Sequence, residues 1–299
     1  SEMLQTVIRR RSVAPKFFEM LPGRATVLPG PSCNIVHRMR GRDANNENSA
    51  IQVIFQIVPG LAAESPPSPS FRTQALSIHE EAISRLVAHL MKQPCFAQLR
   101  TDEQLGYLVS SGFQRNHGLG YIWIMLQSKI KGPAFLDQRV SAFIEERFRG
   151  DVLASMSRDT FETNVKACIS KWGERDKRMR QRSRRFCAAL GTNLRQVEFN
   201  ARFDRARVLA QALAVENGLE ALWQDVLRFV DTFLTDKAPL RKRLALHVVA
   251  AQHEEADGSI MEEEQGKMKA GDEKDSAAAA RVFIGESTVD TFKAGLRLF

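Results

Sequence analysis

Apolar positions change their period several times along this chain, and each change marks an element. In Ser49–Ile57 (SAIQVIFQI), Ile51, Val53, Phe55 and Ile57 fall at every second position, with Gln52 and Gln56 between them. That alternation describes a strand with one face buried. Thr26–Leu28 and Asn34–Met39 read as short strands joined by the turn-rich Pro29-Gly30-Pro31, and Arg40–Asn48 as a polar loop. Residues 59–70 are rich in Pro, Ser and Ala without any period, and read as a surface loop.

From Ser77 the rhythm turns helical. Ser77-Ile-His-Glu80 has the form of a capping box, in which two side chains satisfy orphan backbone donors. Ile83, Leu86, Val87 and Leu90 follow at i, i+3, i+4 and i+7, and the helix is expected to stop before Pro94. Tyr107–Phe113 and Gly120–Gln127 predict a hairpin turning at Asn116-His117-Gly118, its second strand apolar enough to lie inside a sheet. A helix starting at Pro133 points Leu136, Val140, Phe143 and Ile144 inward. Another, capped by Ser157, carries Phe161, Val165, Cys168, Ile169 and Trp172 on one stripe. Helical patterns return at Asp204–Ala214 and Gly218–Leu234, and Arg243–Ala250 reads as a closing strand. The order predicts an α+β fold: a mostly antiparallel sheet of about six strands packed by helices.

Breaks at Pro15 and Pro22-Gly23 set off residues 1–21, expected to be the remnant of a preceding domain or a linker. A chain that opens on Ser in a helix-like pattern reads as a piece of something longer. Residues 22–251 are expected to form one compact domain. Residues 252–280 are polar, acidic and Ala-rich, the composition of a disordered insertion. Residues 281–299 carry Phe283, Ile284, Phe292, Leu296 and Phe299, as an ordered tail packing back on the domain does.

Composition narrows the class. At 43% hydrophobic and 26% charged over 299 residues, the chain can bury a core. No run approaches the ~18–20 apolar residues of a membrane-spanning helix, and the basic cluster near the start follows rather than precedes its apolar residues, unlike a secretory signal. Cys33, Cys95, Cys168 and Cys187 are widely spaced. That spacing argues against a disulfide scaffold or a zinc knuckle and fits a reducing compartment, the cytoplasm or alternatively the mitochondrion. Cys95 and Cys168 fall in apolar surroundings and read as buried, inert thiols.

The net charge of +8 is concentrated. Lys171–Arg185 holds eight basic residues against Glu174 and Asp176, whereas Glu254–Asp275 holds nine acidic residues against three lysines. Nucleic-acid binding through the basic block is disfavoured, because aromatic residues for base stacking are confined to its edges at Trp172 and Phe186.

The six histidines form neither HExxH nor HxxEH, so no two imidazoles share a helical face beside a carboxylate. Nucleophile-elbow, P-loop and dinucleotide fingerprints are missing too. The chain on its own is expected to hold no metal and no catalytic residue. What stands out is Gln93–Gly112 (QPCFAQLRTDEQLGYLVSSG), where Arg100 and Tyr107 sit seven positions apart. Both can donate to a carbonyl oxygen and neither is needed to pack a core. The plainer reading pairs Arg100 with Asp102 or Glu103 and uses Tyr107 as core filler.

This stretch carries a resemblance. RTDEQLGY, preceded by PCFxxLR and followed by a VxSGxxR-like strand, resembles the C-terminal half of insulinase-type (pitrilysin-family) zinc metallopeptidases. The similarity continues at Asp159–Ile169, Ala238–Ala250 and Val282–Phe299, and so covers most of the chain from about Pro22. It implies the last of four homologous α/β domains that close around a chamber, with the zinc ligands in the first domain and none here. By that resemblance, Arg100 matches the arginine holding the substrate backbone and Tyr107 the tyrosine approaching the scissile carbonyl. Lys177 and Arg178 fall near a lysine pair that takes up polyanions such as ATP. The implied partners are a peptide substrate and the N-terminal catalytic half of the same protein. One alternative is a metal-free partner subunit of a peptidase complex; another is a polyanion or nucleic-acid module using residues 171–185.

Overall fold

The computed structural model describes residues 26–58, 76–191, 199–262, 281–284 and 297–298, except positions 31, 44, 117 and 261. The readings made for residues 1–21, 59–70, 263–280 and most of the tail lie outside the described residues. In chain order the strands are β1 (Thr26–Val27), β2 (Cys33–Arg40), β3 (Ser49–Ile57), β4 (Leu108–Asn116), β5 (Leu119–Ser128), β6 (Lys242–Val249), β7 (Arg281–Ile284) and β8 (Arg297–Leu298). Six of them form one sheet in the order β4-β5-β3-β6-β2-β7. The pairings from β4 to β6 are antiparallel, and those of β2 with β6 and β7 are parallel. β1 and β8 make a separate two-stranded antiparallel ribbon. The fold is α+β with a mostly antiparallel sheet.

Strict alternation puts Ile51, Val53 and Phe55 of β3 on the same buried face as Ile122, Ile124 and Leu126 of β5 and Ala245 of β6. Against that face lie α1 (Ile78–Phe96), α2 (Pro133–Ala142), α3 (Arg158–Gly173), α5 (Ala201–Ala214) and α6 (Gly218–Phe233), while α4 (Met179–Gly191) carries the basic block. On the opposite face Gln52, Ile54, Trp123, Leu244 and Leu246 are half-buried and Met125 is exposed.

The capping box forms: the Glu80 amide donates to Ser77 Oγ at 3.1 Å, and the Ser77 amide to Glu80 Oε2 at 2.8 Å. α1 does not stop before Pro94, as its sequence suggested. It runs through Pro94 to Phe96 and passes into a wider turn over Ala97–Asp102. Cys95 and Leu99 are buried beyond the proline, and their packing outweighs the hydrogen bond that Pro94 cannot donate. Burial pushes the Cys95 thiol up to about 12 and the Cys168 thiol up to about 11. All four cysteines are free, and only Cys187 is exposed.

Two charged centres knit the layers. Glu81 is 1% exposed on α1 and accepts from Arg85 and Arg205 at 2.8 Å and from Arg115 at 2.9 Å, joining α1 to α5 and β4. Asp137 on α2 accepts from Arg243 and, at 3.2 Å, from His247, both on β6; Arg243 also donates to Asn34 on β2 at 2.9 Å.

The acidic run read as an insertion begins in order. Residues 254–260 are helical, and Asp257 is 1% exposed. Its Oδ1 accepts the Ala134 amide at 2.6 Å and so caps α2, whose own N-cap is Gly132 with no side chain to do so. Asp257→Ala is therefore expected to lower stability by about 0.5–2 kcal/mol, the range of a lost N-cap. The shift of a urea midpoint measures it, and hydrogen exchange should quicken first at Ala134 and Phe135.

Candidate functional site

The site is assembled where α1 ends. In the widened turn the Glu103 amide donates to the Gln98 carbonyl, five residues back, at 2.9 Å. Gln104 then takes a positive φ of 51°, and the Leu105 amide closes onto the Leu99 carbonyl at 3.0 Å. This left-handed residue terminates the helix as glycine more often does. Leu105 is buried and anchors the chain, and Gly106 lets it pass tightly beside β5: a Cβ built there would lie 1.9 Å from the Gln127 carbonyl oxygen. Tyr107 emerges next, 79% exposed, and β4 begins one residue later. The strand starts at Leu108 rather than Tyr107, and that frees the phenol from the ladder.

The turn of helix and the return of the chain bring Arg100 and Tyr107 together. The Arg100 guanidinium carbon lies 4.7 Å from the centre of the Tyr107 ring and 4.8 Å from that of Phe96. Phe96 stands four residues before Arg100, the spacing that places two side chains on one helical face. Stacking holds a guanidinium by its faces and leaves its in-plane N–H groups pointing outward. No carboxylate pairs with Arg100 among the described residues. Glu103, a partner the sequence offered, is engaged elsewhere: Arg139 donates to both its oxygens at 2.7 Å and Gln98 donates at 2.6 Å. Neither plain reading holds: Tyr107 is not core, and Arg100 is not neutralised by Glu103. Sequence reasoning missed Phe96 as the second ring, although its spacing from Arg100 carried the signal.

Lys177 and Arg178 are exposed just before α4. Lys177 pairs with Glu174 at 2.6 Å, and Gln181 Oε1 accepts both backbone amides, at 2.9 and 3.2 Å. Two arginines of the neighbourhood have structural partners, Arg185 and Arg202 both donating to Asp176. Nothing in this arrangement draws Lys177 and Arg178 into one site with Arg100 and Tyr107. Among the described residues no group of three or more His, Cys, Asp or Glu side chains is placed to hold a metal ion. Nor is any helix among them long and apolar enough to cross a membrane.

Residues 86–187, from mid-α1 through the stacked pair to α4, match the family model described as PQQ synthase PqqF-like, C-terminal lobe domain 4. The A-factor-processing enzyme of Saccharomyces cerevisiae is 33% identical over 169 residues, covering 56% of this chain and 14% of the relative. The human insulin-degrading enzyme is 27% identical over 182 residues, covering 61% of this chain and 16% of the relative. Among solved structures, that of pitrilysin superposes with a TM-score of 0.57 at 18% identity, over 93% of this chain and 24% of its own, and supports the fold. The chain thus spans between a seventh and a quarter of these proteins. The matched domain model, these relatives and the α+β architecture agree: the chain is similar to a domain from the C-terminal half of the insulinase-type, pitrilysin-family peptidases.

Proposed function

We propose that this chain is the noncatalytic, substrate-facing domain of a zinc metalloendopeptidase that hydrolyses peptides. In this reading the zinc and its ligands belong to a catalytic half of the same protein, the partner of this domain; among the described residues no group of three or more His, Cys, Asp or Glu is placed to hold a metal ion. The observation that carries the reading is the Phe96–Arg100–Tyr107 stack, a cation held between two rings with no carboxylate partner among the described residues. Attack on a peptide carbonyl builds negative charge on its oxygen. Donors already fixed in place stabilise that charge more than they stabilise the resting amide. Arg100 holds the substrate backbone through its outward N–H groups, and Tyr107 donates its phenolic proton toward the scissile carbonyl.

The test uses the full-length enzyme. Arg100→Ala and Tyr107→Phe are each expected to lower kcat by about 10²–10³, the usual cost of one such donor. Zinc content and melting temperature should stay at wild-type values. Full turnover in both variants rejects the assigned roles. Loss of zinc in either would instead make the pair structural.

A further inference from the structure

We propose that Ser183, exposed on α4, is a phosphorylation site for a serine/threonine kinase that selects basic substrates. The inference is independent of the peptidase reading, and it starts from the spacing of charge. Arg178, Arg180 and Arg182 precede Ser183 at five, three and one positions. In an extended chain, residues two apart project to the same side. Those three guanidiniums therefore line one side of the strand and Ser183 projects from the other. That is a pattern an acidic kinase cleft reads by charge pairing while the hydroxyl reaches the transferred phosphoryl group.

The structure makes the segment available. Arg178, Arg180, Arg182, Ser183 and Arg184 are all exposed. Among the described residues none of these four arginines has a carboxylate partner; Arg182 only approaches the Phe186 ring, at 5.6 Å. The helix is fastened behind the serine: Arg185 pairs with Asp176 at 2.9 Å, and the Phe186 ring meets that of Phe199 at 5.3 Å. Ahead of the serine, the side-chain tie is Gln181 capping the first turn.

This front half also opposes its own helicity. Arg180 and Arg184 are like charges four apart on the helix, a pair costing roughly 0.2–0.5 kcal/mol, and Arg178 adds a further cation at the helix start. Cations also crowd the positive end of the helix dipole, and no acidic residue occupies the first turn. The front turns can therefore open into the extended form a kinase needs while Phe186 keeps its place.

In the reaction the Ser183 hydroxyl oxygen attacks the γ-phosphorus of a nucleoside triphosphate. The O–P bond to serine forms as the bond to the β-bridging oxygen breaks, a nucleoside diphosphate leaves, and the hydroxyl proton passes to the kinase's base. The product places about −1.5 to −2 of charge one helical turn from Arg180 and beside Arg182 and Arg184. It neutralises part of the basic block and supplies the negative charge that the N-terminal half of α4 lacks.

The experiment treats the native full chain with ATP and a kinase selective for arginine at the third and fifth positions before serine, then maps the phosphate by mass spectrometry. Phosphate on Ser183 is expected, with slower amide exchange over residues 179–186 afterwards. Arg180→Ala should cut kcat/KM for the kinase by about tenfold or more, the equivalent of one charged contact. Modification only after denaturation overturns the proposal. So does phosphate at other serines with Ser183 untouched, or an Arg180→Ala chain modified at the wild-type rate.

Discussion

Replacing Glu81 with glutamine is expected to destabilise the domain by about 3–5 kcal/mol, because it removes a buried carboxylate on which the buried Arg205 guanidinium is paired. Glu81 is almost fully buried and pairs with Arg85, Arg115 and Arg205 at once. Burial alone would push its carboxyl upward, but Arg205, Arg85 and Arg115 outweigh it and hold the group below its ordinary value of 4.5. Burial and the neighbouring Arg85 likewise press Arg205 down to about 10. The sign for pH follows. A carboxylate depressed in the folded state contributes stability that is present in full above about 4.5 and is lost as pH falls through the folded value. Wild-type protein should therefore lose stability on acidification below about pH 4.5, and Glu81→Gln should lose that part of the dependence. Urea titrations between pH 3 and 7 measure both, with an unchanged slope showing that the fold is retained. Truncating Arg85, 29% exposed at its side chain, should cost far less, since two guanidiniums then remain on one carboxylate. If Glu81→Gln loses under about 1 kcal/mol, the cluster is held by packing and not by charge.

The second large effect sits at Gly106. Its backbone is not in the left-handed region, so the constraint is proximity: an added Cβ would meet the Gln127 carbonyl oxygen at 1.9 Å and carbon at 2.9 Å. Both are backbone atoms, so the alanine variant must move the start of β4 away from β5. Overpacking of this kind costs about 1–3 kcal/mol. The functional cost should be larger than the structural one. Tyr107 is the next residue, and a shift of ~1 Å in a positioned group is enough to lose about 10² in rate. Under the role proposed for Tyr107, the full-length protein carrying Gly106→Ala should thus lose turnover nearly as Tyr107→Phe does, although both side chains remain. Gly112→Ala is the control. The three atoms nearest its Cβ would all belong to the Trp123 side chain, the first at 3.1 Å, and the paired strands around it hold their register. Equal loss in the two variants would mean that general loosening of the hairpin, not placement of Tyr107, governs activity.

Much of this molecule is legible from local pattern, because period and capping are set within a few residues. The alternation of Ser49–Ile57, the box at Ser77 and Glu80, the proline opening α2 and the Ser157 cap all stand where their residues put them. Arg100 and Tyr107 are marked by the motif alone. Tertiary structure decided what depends on distant partners. A strand's sequence states that one face is buried but not beside which strand, so the insertion of β6 between β3 and β2 rests on pairings about two hundred residues apart. Pro94 argues locally for a stop, and the burial of Cys95 and Leu99 overrides it. An aspartate in an acidic run looks solvated until Asp257 is found capping a helix 123 positions away. Among the described residues Arg100 has no carboxylate partner: Arg139 claims Glu103 and two rings take the guanidinium's faces, a competition that no window of sequence contains.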